Sequence, residues 1–215
     1  MRASICVAIV LLAQVLLVRA AWSQDASWAL SEAERARLRD GSVLVDAEVA
    51  NDRPTGDVRA AVQIHATAER VFRTLTDCGQ ALAFVPHLDR CAVLETAPDL
   101  TSQIVEHHIH YGWFMPDAEY VFRAEYERFR RIRFSNVRGD FRENRGAWEF
   151  VAAPEDGTAT IVTYRVRLVP RFFVPRWMMR SMLKRDLPEL MKGLRARSEA
   201  QSTPPAAASA QPTLP

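Results

Sequence analysis

"TIVTYRVRLVPRFFVPRWMMRSMLKRDLPELMKGLRAR", Thr160 to Arg197, changes its hydrophobic period partway along. In its first part Val162, Tyr164, Val166 and Leu168 alternate with Thr163, Arg165 and Arg167, which describes a strand with one dry and one wet face. Beyond Pro170 and Pro175 the apolar residues recur at helical steps. Met179, Leu183, Leu187, Leu190 and Leu194 form the stripe of an amphipathic helix running from Arg176 to Arg197. Pro188 removes a backbone donor and crowds the carbonyl of Lys184, so a bend is predicted there. A long helix directly after a half-wet strand needs an apolar surface to lie on.

The strands upstream offer that surface. Val105, His107, Ile109 and Tyr111 share one side of a strand, and Glu106, His108 and His110 the other. Ala118, Tyr120, Phe122, Ala124 and Tyr126 oppose Glu119, Val121, Arg123, Glu125 and Glu127. Ile132 and Phe134 alternate with Arg131, Arg133 and Ser135, and Trp148 and Phe150 with Ala147, Glu149 and Val151. The connections are short ("RFR", "RGD", "PEDG"), so these strands read as an antiparallel meander.

The N-terminal half is built from smaller pieces. Ser31 opens "SEAERARLRDG" as a capping box with Glu34, and Gly41 is a stop signal. Val43–Val49 and Val58–His65 flank the turn "NDRPTGD" and predict a hairpin. "ATAERVFRTLTD" is helical, with Val71, Phe72 and Leu75 on one face, and "GQALAFVPHL" is a second short helix ended by Pro86. The fold class is therefore α+β, an antiparallel sheet wrapped around a C-terminal helix, with two short helices after the first core strand.

Four segments in this order resemble the START-like (SRPBCC, helix-grip) superfamily, and within it the coenzyme Q-binding/polyketide cyclase type of START domain. They are "VQIHATAERVFRTLTDCGQALAFVPHLDRCAVLE", "GDFRENRGAWEF", "TIVTYRVRLVP" and "LKRDLPELMKGLRAR". The resemblance covers residues 58–198 and implies a hydrophobic cavity between sheet and closing helix. Its lining would be Phe84, His107, Tyr120, Phe122, Tyr126, Phe134, Trp148, Phe150 and Tyr164. Met178, Met179, Met182 and Leu183 would line it from the helix, since methionine adapts to irregular apolar partners. The implied partner is a lipid, quinone or polyketide-like molecule.

The apolar and basic residues at the helix start then acquire a role. Phe172, Phe173, Trp177 and Met178 would line an entrance, ringed by Arg171, Arg176, Arg180, Lys184 and Arg185. Trp113 and Phe114, in "YGWFMPD", form a second apolar tip. Such a rim suits transient contact with a membrane surface, each basic residue contributing about 1 kcal/mol near an anionic leaflet. The competing reading folds these loops back as core plugs.

Other chemistries find less support. His108 and His110 lie about 7 Å apart on one side of a strand, with Glu106 beside them, and are ligands of the kind zinc takes. They fall on the wet face, where a solvated stripe is the default, so neither metal nor cofactor is expected. No nucleophile sits at a spacing that implies a base. An enzyme of the cyclase or hydrolase type would have to use Tyr164, Tyr126 or His107 inside the cavity. A protein-interaction module is the third alternative.

Residues 1–23 read as a secretory signal peptide. Arg2 supplies a positive n-region, Ile5–Val18 the apolar run, and Ala20 or Ser23 the cleavage point. Export, most simply to a periplasm, is the expectation. Removing Arg2 and Arg19 from 28 basic residues leaves 26 against 26 acidic, so no global basic field points to nucleic acid. Processing also removes Cys6. Cys78 and Cys91 then either form a disulfide, which closes a loop of about 3 kcal/mol stabilising value, or stay as buried thiols. Residues 24–57 form an N-terminal helix and extra strand, and 199–215 read as a disordered tail.

Overall fold

The structure is a computed structural model that describes residues 28–50, 55–113, 116–154 and 156–200. The expected signal peptide, Phe114 and residues 201–215 lie outside the described residues. Trp28, Ala29 and Leu30 belong to a separate unit and carry no helix or strand; the fold below begins at Ser31.

Helix α1 (Glu32–Arg39) starts at the capping box. The Ser31 hydroxyl accepts from the Glu34 N–H, while the Glu34 carboxylate accepts from the Ser31 N–H at 2.7 Å. Gly41, at φ +84°, takes the left-handed conformation that ends it. Strands β1 (Leu44–Val49) and β2 (Gly56–Ile64) pair antiparallel, Leu44 opposite Ala61 and Val49 opposite Gly56. Helix α2 (Ala68–Thr76) is capped by Thr67. Helix α3 (Cys78–Phe84) is capped by Asp77, whose carboxylate accepts from the Gly79 N–H at 2.8 Å.

Strands β3 (Leu88–Thr96), β4 (Ser102–Ile109), β5 (Ala118–Glu127), β6 (Arg131–Gly139), β7 (Phe141–Ala153) and β8 (Asp156–Pro170) complete one eight-stranded antiparallel sheet, ordered β1-β2-β8-β7-β6-β5-β4-β3. Bulges interrupt the β3–β4, β5–β6 and β7–β8 ladders, each adding local twist. Helix α4 (Arg176–Ala200) closes the chain and continues through Pro188. Its last turn includes Glu199, whose carboxylate accepts from the His65 N–H at 2.8 Å.

Strand β3 is an addition to the sequence-based expectation. It is an edge strand in which most residues beyond Leu88 are exposed or half-buried on both faces, so it carries no clear alternation. The "RGD" corner is a tight turn. Asp140 accepts from the Glu119 N–H and donates its own N–H to the Glu119 carbonyl, and Gly139 takes φ +110° with no room for a Cβ.

The main core lies where α2, α3 and the later half of α4 meet the inward face of the sheet, and Ala60, Val62, Ile64, Val71, Val162, Met191 and Leu194 are among its fully buried members. Helix α4 packs chiefly on β1, β2, α2 and α3. The outer face is drier than strict alternation predicts. Val121, Ala147 and Glu149 are buried there, because arginines lie across them. Arg131 and Arg165 hold the Glu149 carboxylate at 2.9 and 3.6 Å, and Arg90 spans Glu106 and Glu119 at 3.3 and 3.1 Å, so alkyl stems cover the surface beneath.

Candidate functional site: an uncharged hollow lined with rings

Because α4 rests on the β1–β2 end, the inward faces of β4 to β8 are not filled from above. They border, with α2, α3 and Leu190 of α4, a partly open cavity of about 140 Å³. Period two in the strands places its residues. Tyr120, Phe122, Ala124 and Tyr126 project from β5, Ile132 and Phe134 from β6, Asn144 and Trp148 from β7, and Tyr164 from β8. No Asp, Glu, Lys or Arg is among the described residues that line it.

The rings support one another. Trp148 stacks on Tyr164 at 4.1 Å, Tyr164 on Phe134 at 6.0 Å, and Phe134 meets Phe122 edge-on at 6.2 Å. Gly146 makes this possible, since a Cβ there would stand 2.7 Å from Phe134 Cζ and 2.0 Å from the Arg165 carbonyl oxygen. Cys78, opening α3, and Cys91, on β3, form a disulfide with Cα atoms 5.2 Å apart. Both line the cavity, so the bridge ties the short helix to the sheet edge at the wall itself.

Few polar groups reach this space. His107 Nδ1 and the Tyr120 hydroxyl are 3.1 Å apart, and the Tyr126 hydroxyl donates to the Gln103 side-chain Oε1 at 2.7 Å. Burial lowers the His107 pKa to about 4, so the imidazole is neutral near pH 7. Burial raises the Tyr126 hydroxyl to about 12, and pushes Tyr120 and Tyr164 further up, with a smaller contribution from neighbouring tyrosines at Tyr120. Asn144 is only 5% exposed, and neither its amide nor the Tyr164 hydroxyl has a hydrogen-bond partner among the described residues.

Of the residues predicted to line the cavity, Phe84, His107, Tyr120, Phe122, Tyr126, Phe134, Trp148 and Tyr164 are brought together around it. Phe150 is not; it packs edge-on against Phe72 in the core. The methionine lid is also displaced. Met178, Met179 and Leu183 pack with Val49 and Val174 near the β1 edge, and Met182, half-buried, does not reach the cavity either. The physical reason is the seat of α4: its first turns lie over β1 and β2, and only Leu190 further along faces the hollow. Asn144, Leu75, Thr76 and the two cysteines were not foreseen as lining residues. Asn144 shares the inward parity of Trp148 and Phe150, which is the signal that would have found it.

At the proposed entrance the side chains divide. Phe173 and Trp177 are 85% and 71% exposed and Trp113 is 97% exposed, while Phe172 turns inward onto the core and Met178 is half-buried. Arg171, Arg176, Arg180 and Lys184 are exposed around them. Tyr111 lies 5.1 Å from His87, which in turn contacts Asp186 and Arg185, so the β4–β5 loop runs beside α4. The outer-face histidines are engaged with carboxylates, His108 with Asp89 at 2.6 Å and His110 with Asp117 at 2.7 Å, and Glu106 is held by Arg90 and Arg138. No group of metal-ligating side chains is assembled among the described residues.

Fold and hollow together define a helix-grip protein with an internal apolar cavity. Residues 64–195 match the family described as "Polyketide cyclase / dehydrase and lipid transport", and the chain belongs to that START-like family. Solved structures share the fold. A STAR-related lipid transfer protein fragment from Xanthomonas axonopodis aligns with TM-score 0.62 at 19% identity, covering 73% of this chain and 93% of that one. The Zhui aromatase/cyclase from Streptomyces sp. R1128 aligns with TM-score 0.58 at 16% identity, covering 69% and 96%. Human StAR-related lipid transfer protein 5 aligns with TM-score 0.61 at 14% identity, covering 76% and 85%. No curated protein matches the chain.

Proposed function

We propose that this protein binds a hydrophobic small molecule in the β4–β8 cavity and exchanges it with a membrane surface after export from the cytoplasm. The observation that carries the binding step is the wall of rings without a charged member among the described residues. Solvent exclusion supplies the driving force, at roughly 25 cal/mol per Å² of apolar surface removed from water. The family's description includes lipid transport beside cyclase chemistry, and two lipid transfer proteins among the similar structures support the carrier reading. The membrane step rests on Phe173 and Trp177, exposed among Arg171, Arg176, Arg180 and Lys184. Export rests on the pattern of residues 1–23, and a disulfide between Cys78 and Cys91 suits an oxidising compartment such as the periplasm.

Native mass spectrometry of protein purified from the exported fraction tests binding. A co-purified apolar adduct, or saturable uptake of an apolar fluorescent dye, is expected. The bare polypeptide mass together with no dye uptake would remove the carrier reading.

A further inference from the structure

We infer that the cavity is built for a neutral molecule of one aromatic ring bearing hydrogen-bonding oxygens at its two ends, and that it discriminates against anions. This rests on the reading that the cavity binds a ligand, and narrows it.

Size comes first. A space of about 140 Å³ is close to the engineered apolar cavity of about 150 Å³ that takes benzene. One ring fills it. Charge comes second. With no charged lining residue, a bound carboxylate or phosphate would be desolvated without a counter-ion, which is among the most unfavourable burials a protein can make.

The polar groups then set the pattern. A neutral imidazole and a hydroxyl carry two N–H or O–H protons between them. The His107–Tyr120 contact consumes one, so one donor and one acceptor remain for a guest whichever tautomer is present. Elsewhere on the lining stand the Asn144 amide, on a residue only 5% exposed, and the Tyr164 hydroxyl, both facing the cavity without a protein partner among the described residues. Buried polar groups in folded proteins are nearly always satisfied, so an amide left unpaired in the wall of a cavity points to a missing partner inside it. Tyr120 is on β5 and Asn144 on β7, two strand spacings or about 10 Å apart across the sheet at the backbone, and the ladders offset them along the strands by a further two residues. A ring carrying an oxygen at each end can hydrogen-bond towards both strands at once.

An isosteric series tests this by calorimetric titration of the full exported protein: p-xylene, p-cresol, 4-hydroxybenzyl alcohol and 4-methylbenzoate. Asn144→Leu keeps the side-chain volume and removes the amide. It is expected to weaken 4-hydroxybenzyl alcohol about tenfold or more, leave p-xylene within about threefold, and raise the thermal stability of the empty protein. The anion 4-methylbenzoate is expected to bind at least tenfold more weakly than p-cresol. Equal affinity of the diol for wild type and Asn144→Leu, or 4-methylbenzoate binding as tightly as p-cresol, would overturn the inference while leaving hydrophobic binding intact. If the whole series and an apolar dye fail to bind the wild type, it is the cavity-binding reading itself that falls.

Discussion

Lowering the pH should destabilise this protein through one buried side chain, and the size of the effect can be worked from its environment. His107 faces the cavity, and burial brings its pKa from 6.5 down to about 4. Between those values the unfolded chain binds a proton that the folded chain refuses, so stability rises with pH across that window. The contribution is complete above 6.5 and is lost as the pH falls toward 4, below which both states are protonated and nothing further changes. At about 1.4 kcal/mol per pH unit, the gap corresponds to about 3 kcal/mol. Urea unfolding of wild type and His107→Asn, from about pH 7 to about pH 4, isolates it. The asparagine amide keeps a polar atom where Nδ1 meets Tyr120, and every other titrating group is common to both proteins. The wild type should lose about 3 kcal/mol more than the variant over this range. Difference profiles flat to within about 0.5 kcal/mol would refute the dry, uncharged setting assigned to His107.

Replacing Cys78 and Cys91 together by serine should cost about 3 kcal/mol through the freed loop, read as a lower urea midpoint; equal midpoints would mean that the bridge constrains nothing. Gly146→Ala should cost more than about 3 kcal/mol, because neither the β8 backbone nor the Phe134 ring can clear the new methyl cheaply. A soluble variant with an unchanged melting temperature would contradict the β7–β8 register. Phe173→Ser combined with Trp177→Ser should reduce flotation with anionic liposomes several-fold and leave the melting temperature unaltered, since both side chains are exposed; unchanged flotation would eliminate this contact as the membrane tip.

Much of the site could be read before folding, because strand parity is local. A residue two positions from Phe122 points the way Phe122 points, so the inward aim of Tyr120, Tyr126, Phe134, Trp148 and Tyr164 followed from parity, while their lining a cavity followed from the family resemblance. It faltered where local signals thin out. Around Asn144 the run "FRENRGAW" mixes charges with a glycine and reads as polar, so its inward amide was overlooked. Strand β3 alternates too weakly to declare itself.

Sequence by itself determined the α+β class, the capped helices, the meander, and which side of each central strand carries the aromatic rings. Periods of two and about 3.6 residues are properties of the backbone and need no neighbours. Tertiary structure alone decided where helix α4 would sit. Its apolar stripe can lie anywhere along the dry face. Packing set its methionine turns over β1 and β2, beside Val49 and Val174. That choice left the rings of β4 to β8 facing a benzene-sized space, with Asn144 in its wall. Distances between segments far apart in the chain are set by packing, and no local pattern encodes them.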